Sequence, residues 1–282
     1  SIVDYTVNTG GTSGMTKDAF DCYLFLDGKP KATTSLDTND AVAQDANGEY
    51  NLNSLLNVRD KRLSQTIDSV LCFKGNPYSR AGVASFTSTT GYGVAKYDNP
   101  QDMTINERNN INKQYTDCPI FWLSVVYLNF AEAKAELGTL TNADLDNSIN
   151  KLLHRAGLPD MTVNPEADPA NNMGVSNLLW EIRRCRRCEL MFDNWTRYWD
   201  LIRWHKLDLL DSGKHPNIYL GANLKHVPSP EVDVNSDGYM IGSNTLNQPR
   251  IYDSKYYFYP IPTTQLTLNP NMKQNPGWDK SK

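Results

Sequence analysis

Two amphipathic segments joined by three residues constrain the fold of this chain more than any other feature. Asp117 and Pro119 suit the start of the first helix, because aspartate accepts from free backbone N–H groups and proline fits the first turn. Gly138 suits the end of that helix. Thr141 then caps a second helix, which Gly157 stops. A connection this short predicts an antiparallel helix pair, the unit of a helical-repeat scaffold, of which the sequence contains one clear copy.

Apolar residues at spacings of three and four predict which face of each helix is buried. The predicted faces comprise Leu123, Val126, Phe130, Ala133 and Leu137 in the first helix, and Leu145, Ile149, Leu152 and Ala156 in the second. The same spacing predicts further buried positions, with two tryptophans packed between helices. The core positions are Tyr127, Ala131, Leu137 and Leu201, and the tryptophans are Trp199 and Trp204.

The rest of the chain divides around this helical segment. Ser176 caps a third helix that runs to Leu190, and Asp193-Asn194 interrupts it before a fourth helix from Thr196 to Leu210. We predict loops with short strands over 1–116, including strands at 21–26 and 70–73. Helices follow over 117–211, and loops with a C-terminal wrap over 212–282, where a short strand begins near Tyr256. The fold class is mainly α, with helix pairs of a helical-repeat (TPR-like) kind, long irregular loops and a few short strands.

Composition excludes several classes of function. The 282 residues carry a net charge of −4, which gives no basic footprint for nucleic acid. The most apolar run, 120–131, is far shorter than the roughly 20 residues that a membrane span needs. Five cysteines are an odd number and too sparse for a disulfide scaffold.

No catalytic motif stands out, and we predict that the chain is not an enzyme. The carboxylates of the third and fourth helices, such as Glu189 and Asp200, lie among more numerous arginines, so we expect a structural ion-pair network. Cys185 and Cys188 have the spacing of zinc and redox motifs. Core packing is the more favoured interpretation, because both cysteines lie within one helix without a second pair.

One segment resembles the start of a calcium-binding loop. Asp233, Asn235 and Asp237 place oxygen atoms at positions 1, 3 and 5, and Gly238 permits the sharp turn. Position 12 carries Asn244 where the bidentate glutamate is expected. The alternative is a surface turn rich in Asx side chains, so calcium is a weak candidate, and no other cofactor is expected.

Aromatic rings on a long polar segment are the strongest candidates for a binding surface. Residues 74–116 are rich in Gly, Ser, Thr and Asn and lack periodicity, yet carry Tyr78, Phe86, Tyr92 and Tyr97. Such rings are covered by the core, by another protein or by a sugar. Core burial is at least as favoured for any single ring.

Three motifs together resemble the C-terminal half of the SusD/RagB family. The first is the stretch 127–138, which reads YLNFAEAKAELG, and the second is the RDKRL turn at 59–63. The third is the tail, with YPIP at 259–262 and LNPNMKQNPGW at 268–278. Near Asp193, a usual Glu-Gly-basic pattern of the family is replaced by Asp193-Asn194-Trp195. The resemblance spans most of residues 1–282.

This resemblance implies an all-α SusD-like fold and a glycan-binding lipoprotein on the outer membrane of Bacteroidetes. Such a protein would capture an oligosaccharide without catalysis and deliver it to a TonB-dependent SusC-like transporter. Its lipid anchor would lie outside this chain, because family members are longer and carry a lipidated cysteine ahead of this region. The alternative is a helical scaffold that binds a protein or peptide, and a weaker rival is a glycoside hydrolase.

Overall fold

The computed structural model describes residues 14–80, 83–96, 103–104, 106–107, 113, 120–242 and 249–279; for 78–80 and 83–86 it describes the backbone alone. The described part is mainly helical with two small antiparallel sheets. This agrees with the fold class predicted from the sequence. The first turn of the predicted helix at 117–119 lies outside the described residues.

Short helices open the described chain. Helix α1 spans Lys17–Asp21 and begins at Thr16, whose hydroxyl accepts from the Ala19 amide at 3.3 Å. Helix α2 spans Asn53–Leu56. Helix α3 spans Lys61–Ser64, and the Asp60 carboxylate accepts from its first turn. The predicted strand at 21–26 is wrong, because the Thr16 cap starts a helix and Phe25 makes only an isolated bridge to Arg59.

The first hydrophobic core includes side chains from all three helices, among them Phe20, Leu55 and Leu63. Arg59 belongs to it although it is charged, since its guanidinium stacks 4.1 Å from the Phe25 ring centroid and donates to the Tyr23 carbonyl at 2.9 Å. Cys188 also packs here, as predicted, and Cys185 packs in the second core. The largest fully buried side chains of the first core are Met15, Phe20, Tyr23, Leu52, Leu63, Ile67, Leu71, Phe73 and Tyr92.

The described chain has two small antiparallel sheets, and the second contributes Ala222 and Met240 to this core. Strand β1, Tyr78–Arg80, pairs with β2, Val83–Phe86, and β3, Leu220–Asn223, pairs with β4, Tyr239–Ile241. The segment 70–73 makes isolated bridges rather than the predicted strand. Gly221 lets the backbone at Thr90 approach β3 closely, because a Cβ at position 221 would lie 2.2 Å from the Thr90 carbonyl oxygen. The Ala222 amide donates to that same oxygen at 2.8 Å.

The predicted helix pair is present with one change. Helix α4 spans Leu123–Glu136, and Gly138 follows it with a φ of 66°. Thr141 and Asp144 form a capping box at the start of α5, Asn142–Asp146. A break at 147–148 separates α5 from α6, Ile149–Ala156, so one predicted helix is two. Gly157 ends α6 in the left-handed conformation, as its glycine predicts.

Helix α4 buries a different face from the predicted one. Leu128 and Ala131 are fully buried in the second core, with Tyr127 and Ala135 partly buried beside them. The residues of the predicted face are exposed instead, with Leu137 at 76%. The prediction was wrong because α4 carries two apolar stripes, and spacing alone does not say which one meets α6. The exposed stripe comprises Leu123, Val126, Phe130, Ala133 and Leu137.

Helix α7, Asn177–Glu189, continues the second core and ends at an unusual junction. Ser176 caps it as predicted, with its hydroxyl accepting from the Leu179 amide. Phe192, Asn194 and Trp195 then take left-handed φ values of 64°, 43° and 57°. Helix α8 follows at Thr196–Arg203, and a 3-10 turn at Leu207–Leu210 replaces the rest of the predicted helix.

Leu201 and Trp204 of α8 are buried in the third core, as predicted. Trp199 does not pack between helices, because 54% of its surface is exposed. Two residues rotate about 200° around an α-helix, so Trp199 lies opposite Leu201. The prediction for Trp199 is therefore wrong.

The tail forms turns rather than the predicted strand. A 3-10 turn spans Ser254–Tyr257, and α9 spans Thr263–Leu268. The wrap is held by side chains: Gln274 bonds both the amide and the carbonyl of Ile261, at 2.7 and 2.8 Å, and the Trp278 indole donates to the Phe258 carbonyl at 2.8 Å. None of the helices described is long and apolar enough to cross a bilayer.

Candidate functional site

Tyr92 is the one predicted glycan-binding ring whose side chain the structure describes. It is 2% exposed and stacks on Phe20 with a centroid distance of 4.6 Å and an interplanar angle of 7°. Close approach of Gly14 and Gly91 to neighbouring segments lets this polar loop pack inward. The alternative of core burial therefore holds for Tyr92, and a sugar cannot reach its face in this conformation.

The other three predicted rings are only partly placed. Tyr78 and Phe86 are Cα partners across the β1–β2 hairpin. Tyr97 lies outside the described residues. The backbone thus brings two of the four predicted positions next to each other.

The candidate calcium loop forms an Asx turn. The Asn235 side-chain oxygen accepts from the amides of Asp237 and Tyr239, at 3.1 and 2.9 Å. The Ile241 amide donates to the Asp233 carbonyl at 2.8 Å. Backbone N–H groups therefore engage the Asn235 side-chain oxygen, and the segment forms a turn that leads into β4. The weak calcium assignment to Asp233, Asn235 and Asp237 stays a prediction.

Helix α7 carries four arginines in an ion-pair network, as predicted. Arg183 donates to Glu132 at 3.2 Å, Arg186 to Asp200 at 2.7 Å, and Arg187 to Asp18 at 2.5 Å. The remaining arginine, Arg184, binds Glu181 at 2.8 Å and also Asp168.

Glu181 differs from the other carboxylates of this network. Burial raises its pKa to about 7, with a further contribution from the Asp168 carboxylate that the Arg184 guanidinium opposes. Glu189 bonds Arg62 and Arg155. Glu181 and Glu189 both lie on α7, so this helix makes ion pairs through carboxylates as well as through its four arginines.

A cavity of about 650 Å³ opens beside α7, between α1, α8 and the 3-10 turn Pro216–Ile218. Trp180, Arg184 and Arg187 of α7 line it, together with Arg197 of α8. The volume falls within the range of small-molecule binding sites.

The walls of this cavity carry more positive than negative charge. Among the described residues, seven cationic side chains and three carboxylates line it. All three carboxylates bind cations, since Asp18 pairs with Arg187, Asp21 with Lys17 and Asp168 with Arg184. Three of the cations have no ion pair with any residue in the described ranges of the chain: Arg197, Lys214 and Arg250.

Trp180 adds an aromatic surface to this polar wall. It is half-buried, its indole N–H donates to Asp168 at 2.9 Å, and the Arg184 guanidinium lies 5.6 Å from its ring centroid. An apolar ring next to fixed hydrogen-bonding groups is the chemistry that contacts the C–H groups and hydroxyls of a sugar.

The sequence analysis missed this cavity although a signal was present. Trp180, Arg184 and Arg187 recur at spacings of four and three, so they share one face of α7. The arginines were assigned to a structural network alone. Only the folded chain brings Arg197 and Lys214 to the same wall.

Comparison with known proteins identifies relatives of this fold. The SusD family model matches residues 3–278. No curated protein gives a significant match. A SusD-like carbohydrate-binding protein from Bacteroides fragilis NCTC 9343 has 24% identity, with a TM-score of 0.58, over 92% of this chain and 48% of that chain.

Two more solved structures are similar. A SusD-like protein from the same Bacteroides fragilis strain is 21% identical, with a TM-score of 0.55, over 94% of this chain and 47% of its own. BT4246 is 22% identical, with a TM-score of 0.62, and the match covers 94% of this chain and 44% of BT4246. The chain thus spans less than half the length of these structures.

Proposed function

Because the chain belongs to the SusD family, as a model match over residues 3–278 shows, we propose that it captures an oligosaccharide without changing it chemically. The cavity beside α7 carries this proposal. It combines the half-buried ring of Trp180 with arginine and asparagine side chains that can bond sugar hydroxyls, and its volume of about 650 Å³ is large enough for an oligosaccharide segment.

The predicted aromatic positions provide a second contact surface for the same function. Tyr78 and Phe86 lie opposite each other on the β1–β2 hairpin, and Tyr97 follows in sequence. We propose that these three residues contact the glycan, whereas Tyr92 supports the loop from within the core by stacking on Phe20.

The family membership also supports a place in nutrient uptake. We propose that the protein acts at the outer-membrane surface of a bacterium of the Bacteroidetes. It is held there by a lipid anchor outside this chain, and it passes the glycan to a TonB-dependent SusC-like transporter. A transporter that takes the glycan from this chain requires reversible binding rather than turnover, which agrees with the ion-paired state of the buried carboxylates.

Titration calorimetry with a panel of oligosaccharides tests binding and locates it. Ala170 is exposed in the cavity wall, so Ala170→Trp should fill the cavity without removing core contacts and should abolish binding. Ala167 is also exposed and lies outside this wall, which makes Ala167→Trp the matched control. Alanine variants of Tyr78, Phe86 and Tyr97 measure the contribution of the hairpin surface.

The two sites give different outcomes in this experiment. Loss of binding in Ala170→Trp alone locates the glycan in the cavity. Loss in the hairpin variants alone locates it on the 78–97 segment. An absence of binding across a broad panel by the folded wild-type chain would contradict the proposed function, and release of reducing sugar would indicate the hydrolase instead.

The exposed stripe of α4 favours a second candidate, a scaffold that binds a polypeptide. Leu123 and Val126 are 63% and 59% exposed, and Phe130 is 43% exposed, so three apolar side chains line up along one helix face. Such a face is typical of helix–helix contact. Replacing Val126 by Glu should weaken capture of an amphipathic helical polypeptide without changing glycan affinity, and an unchanged capture would argue against this use of the stripe.

A further inference from the structure

We propose that the cavity beside α7 selects oligosaccharides that carry an anionic group, either a uronate carboxylate or a sulfate ester. This inference rests on the proposed glycan capture and adds the class of glycan. A ring-borne carboxylate or sulfate would lie among the cationic side chains, with the sugar body against Trp180.

The charge balance of the wall is the first support. Lys31, Arg183, Arg184 and Arg187 already bind carboxylates of the protein. Within the described ranges the other three cations of the wall, Arg197, Lys214 and Arg250, have no such partner. Unpaired cations around a concave surface focus a positive potential into it, and this raises the local concentration of an anionic ligand.

The second support is a set of buried polar atoms without partners. The Nε atoms of Arg184 and Arg187 are buried and make no hydrogen bond to any of the described residues, and both arginines belong to the cavity wall. A buried donor without a hydrogen-bond partner is unfavourable. The third such atom is an acceptor, Oδ1 of Asp21. The residues of the wall therefore include two donors and one acceptor that the described part of the chain leaves unsatisfied.

Arg197 is the most buried of the three cations that have no ion pair within the described ranges. Burial, together with the neighbouring Arg187 guanidinium, lowers the pKa of Arg197 to about 9. Its guanidinium still carries its charge at neutral pH, at 6.0 Å from the Trp204 ring centroid. An anion placed between Arg197 and Arg187 would relieve the repulsion between these two cations.

A guanidinium also matches the geometry of the expected ligand. Its planar fork donates two parallel hydrogen bonds to a carboxylate or to a sulfate. Neutral sugars offer single hydroxyls and do not use this geometry fully. The arrangement therefore predicts discrimination by charge rather than by ring stereochemistry.

Titration calorimetry with matched ligands tests the inference. The probes are a galacturonic-acid oligosaccharide, its neutral methyl ester, a sulfated oligosaccharide and the neutral panel. We expect the acid to bind at least about tenfold more tightly than its methyl ester, because one hydrogen-bonded charge contributes about 1.5–3 kcal/mol. Added salt should weaken binding of the acid more than binding of the ester.

Variants then assign the preference to this wall. Arg197→Gln should reduce the preference for the acid about tenfold, and Arg197→Lys should retain only part of it, because lysine keeps the charge but lacks the planar fork. Since Arg197 is partly buried, Lys214→Gln provides an exposed second variant, with Lys151→Gln as a control at an exposed lysine outside the cavity. Circular dichroism verifies that each variant is folded.

The outcomes separate this inference from the function on which it rests. A preference for the acid, for the sulfated probe or for both supports the inference and names the source of the anion. Equal affinity for the acid and its methyl ester, or tight binding of neutral glycans only, overturns the inference and leaves glycan capture standing. An absence of binding to every probe contradicts both.

Discussion

Removing the carboxylate of Glu132 should destabilise the fold by about 3 kcal/mol. Glu132 is 4% exposed, and its two oxygens accept four hydrogen bonds. The donors are Arg183 at 3.2 Å, Arg203 at 3.1 and 2.5 Å, and the Trp204 indole at 2.7 Å. This one side chain therefore joins α4 to α7 and α8.

The magnitude follows from what each donor retains after the change. Breaking a buried ion pair costs about 3–5 kcal/mol when a charge is left without a partner. In Glu132→Ala, Arg183 keeps Glu136 at 2.9 Å, and Arg203, which is 44% exposed, keeps Asp200 at 2.9 Å. Only the Trp204 indole loses its acceptor entirely. The expected loss is therefore at the lower end of that range.

Urea unfolding followed by tryptophan fluorescence measures this loss. Glu136→Ala is the matched control, because Glu136 lies one turn away on α4, also binds Arg183 and is 52% exposed; it should cost less than about 1 kcal/mol. If both variants unfold within about 1 kcal/mol of the wild type at an unchanged m-value, the reasoning about this network is refuted.

The same carboxylate predicts a dependence on pH. Burial opposes ionisation of Glu132, but hydrogen bonds and charge from Arg203, Trp204 and Arg183 outweigh it and lower the pKa of this carboxyl below its ordinary value of 4.5. A lowered pKa in the folded state contributes stability above 4.5 that is lost as the pH falls through the folded-state value. Glu132→Gln should flatten this acid limb of the stability curve.

Three further outcomes can be measured by thermal or urea unfolding. Tyr92→Ala should cost about 3–5 kcal/mol because it removes a stacked core ring, whereas exposed Trp199→Ala should cost less than about 1 kcal/mol; the opposite ranking would contradict both assignments. The raised folded-state pKa of Glu181 stabilises the wild type below pH 4.5, and this stability is lost as the pH rises through about 7. The free energy of unfolding of Glu181→Gln should therefore rise relative to the wild type by on the order of 2–3 kcal/mol over this range. Parallel stability curves for the two proteins would argue against the assignment. Gly221→Ala should cost about 1–3 kcal/mol, because its Cβ would meet the Thr90 carbonyl. Gly213→Ala is the control, because Gly213 also lacks a left-handed φ and its Cβ would meet only the Asp211 side chain, at 3.2 Å.

The helix ends marked by a capping side chain or a C-terminal glycine were predictable from sequence, because these signals act over one turn. Thr141 and Ser176 cap their helices with their own side chains, and Gly157 takes the left-handed conformation at the end of α6. Each signal depends on a few neighbouring residues, so the helix end that it predicts does not depend on distant parts of the chain.

Burial was less predictable because it depends on what lies opposite. Both stripes of α4 have helical spacing, and the position of α6 and α7 decides that Leu128 and Ala131 face the core. Tyr92 follows a run of small polar residues, yet glycines let its loop pack against Phe20. The cavity was unpredictable for the same reason, because the turn between α7 and α8 decides that Arg197 joins residues of α7 in its wall.

The left-handed junction between α7 and α8 implies a trade-off between stability and affinity. Non-glycine residues in this conformation each store about 1–3 kcal/mol, and Asn194 and Trp195 come directly before the helix that carries Arg197. Trp195→Gly would relax this strain and should raise the melting temperature, because a bulky side chain is unfavourable at this φ and Trp195 is 82% exposed. It would also loosen the direction in which α8 leaves the junction, so the guanidinium would be held less firmly for a bound anion. The residues that make this segment unfavourable for folding would then be those that prepare the site for its ligand.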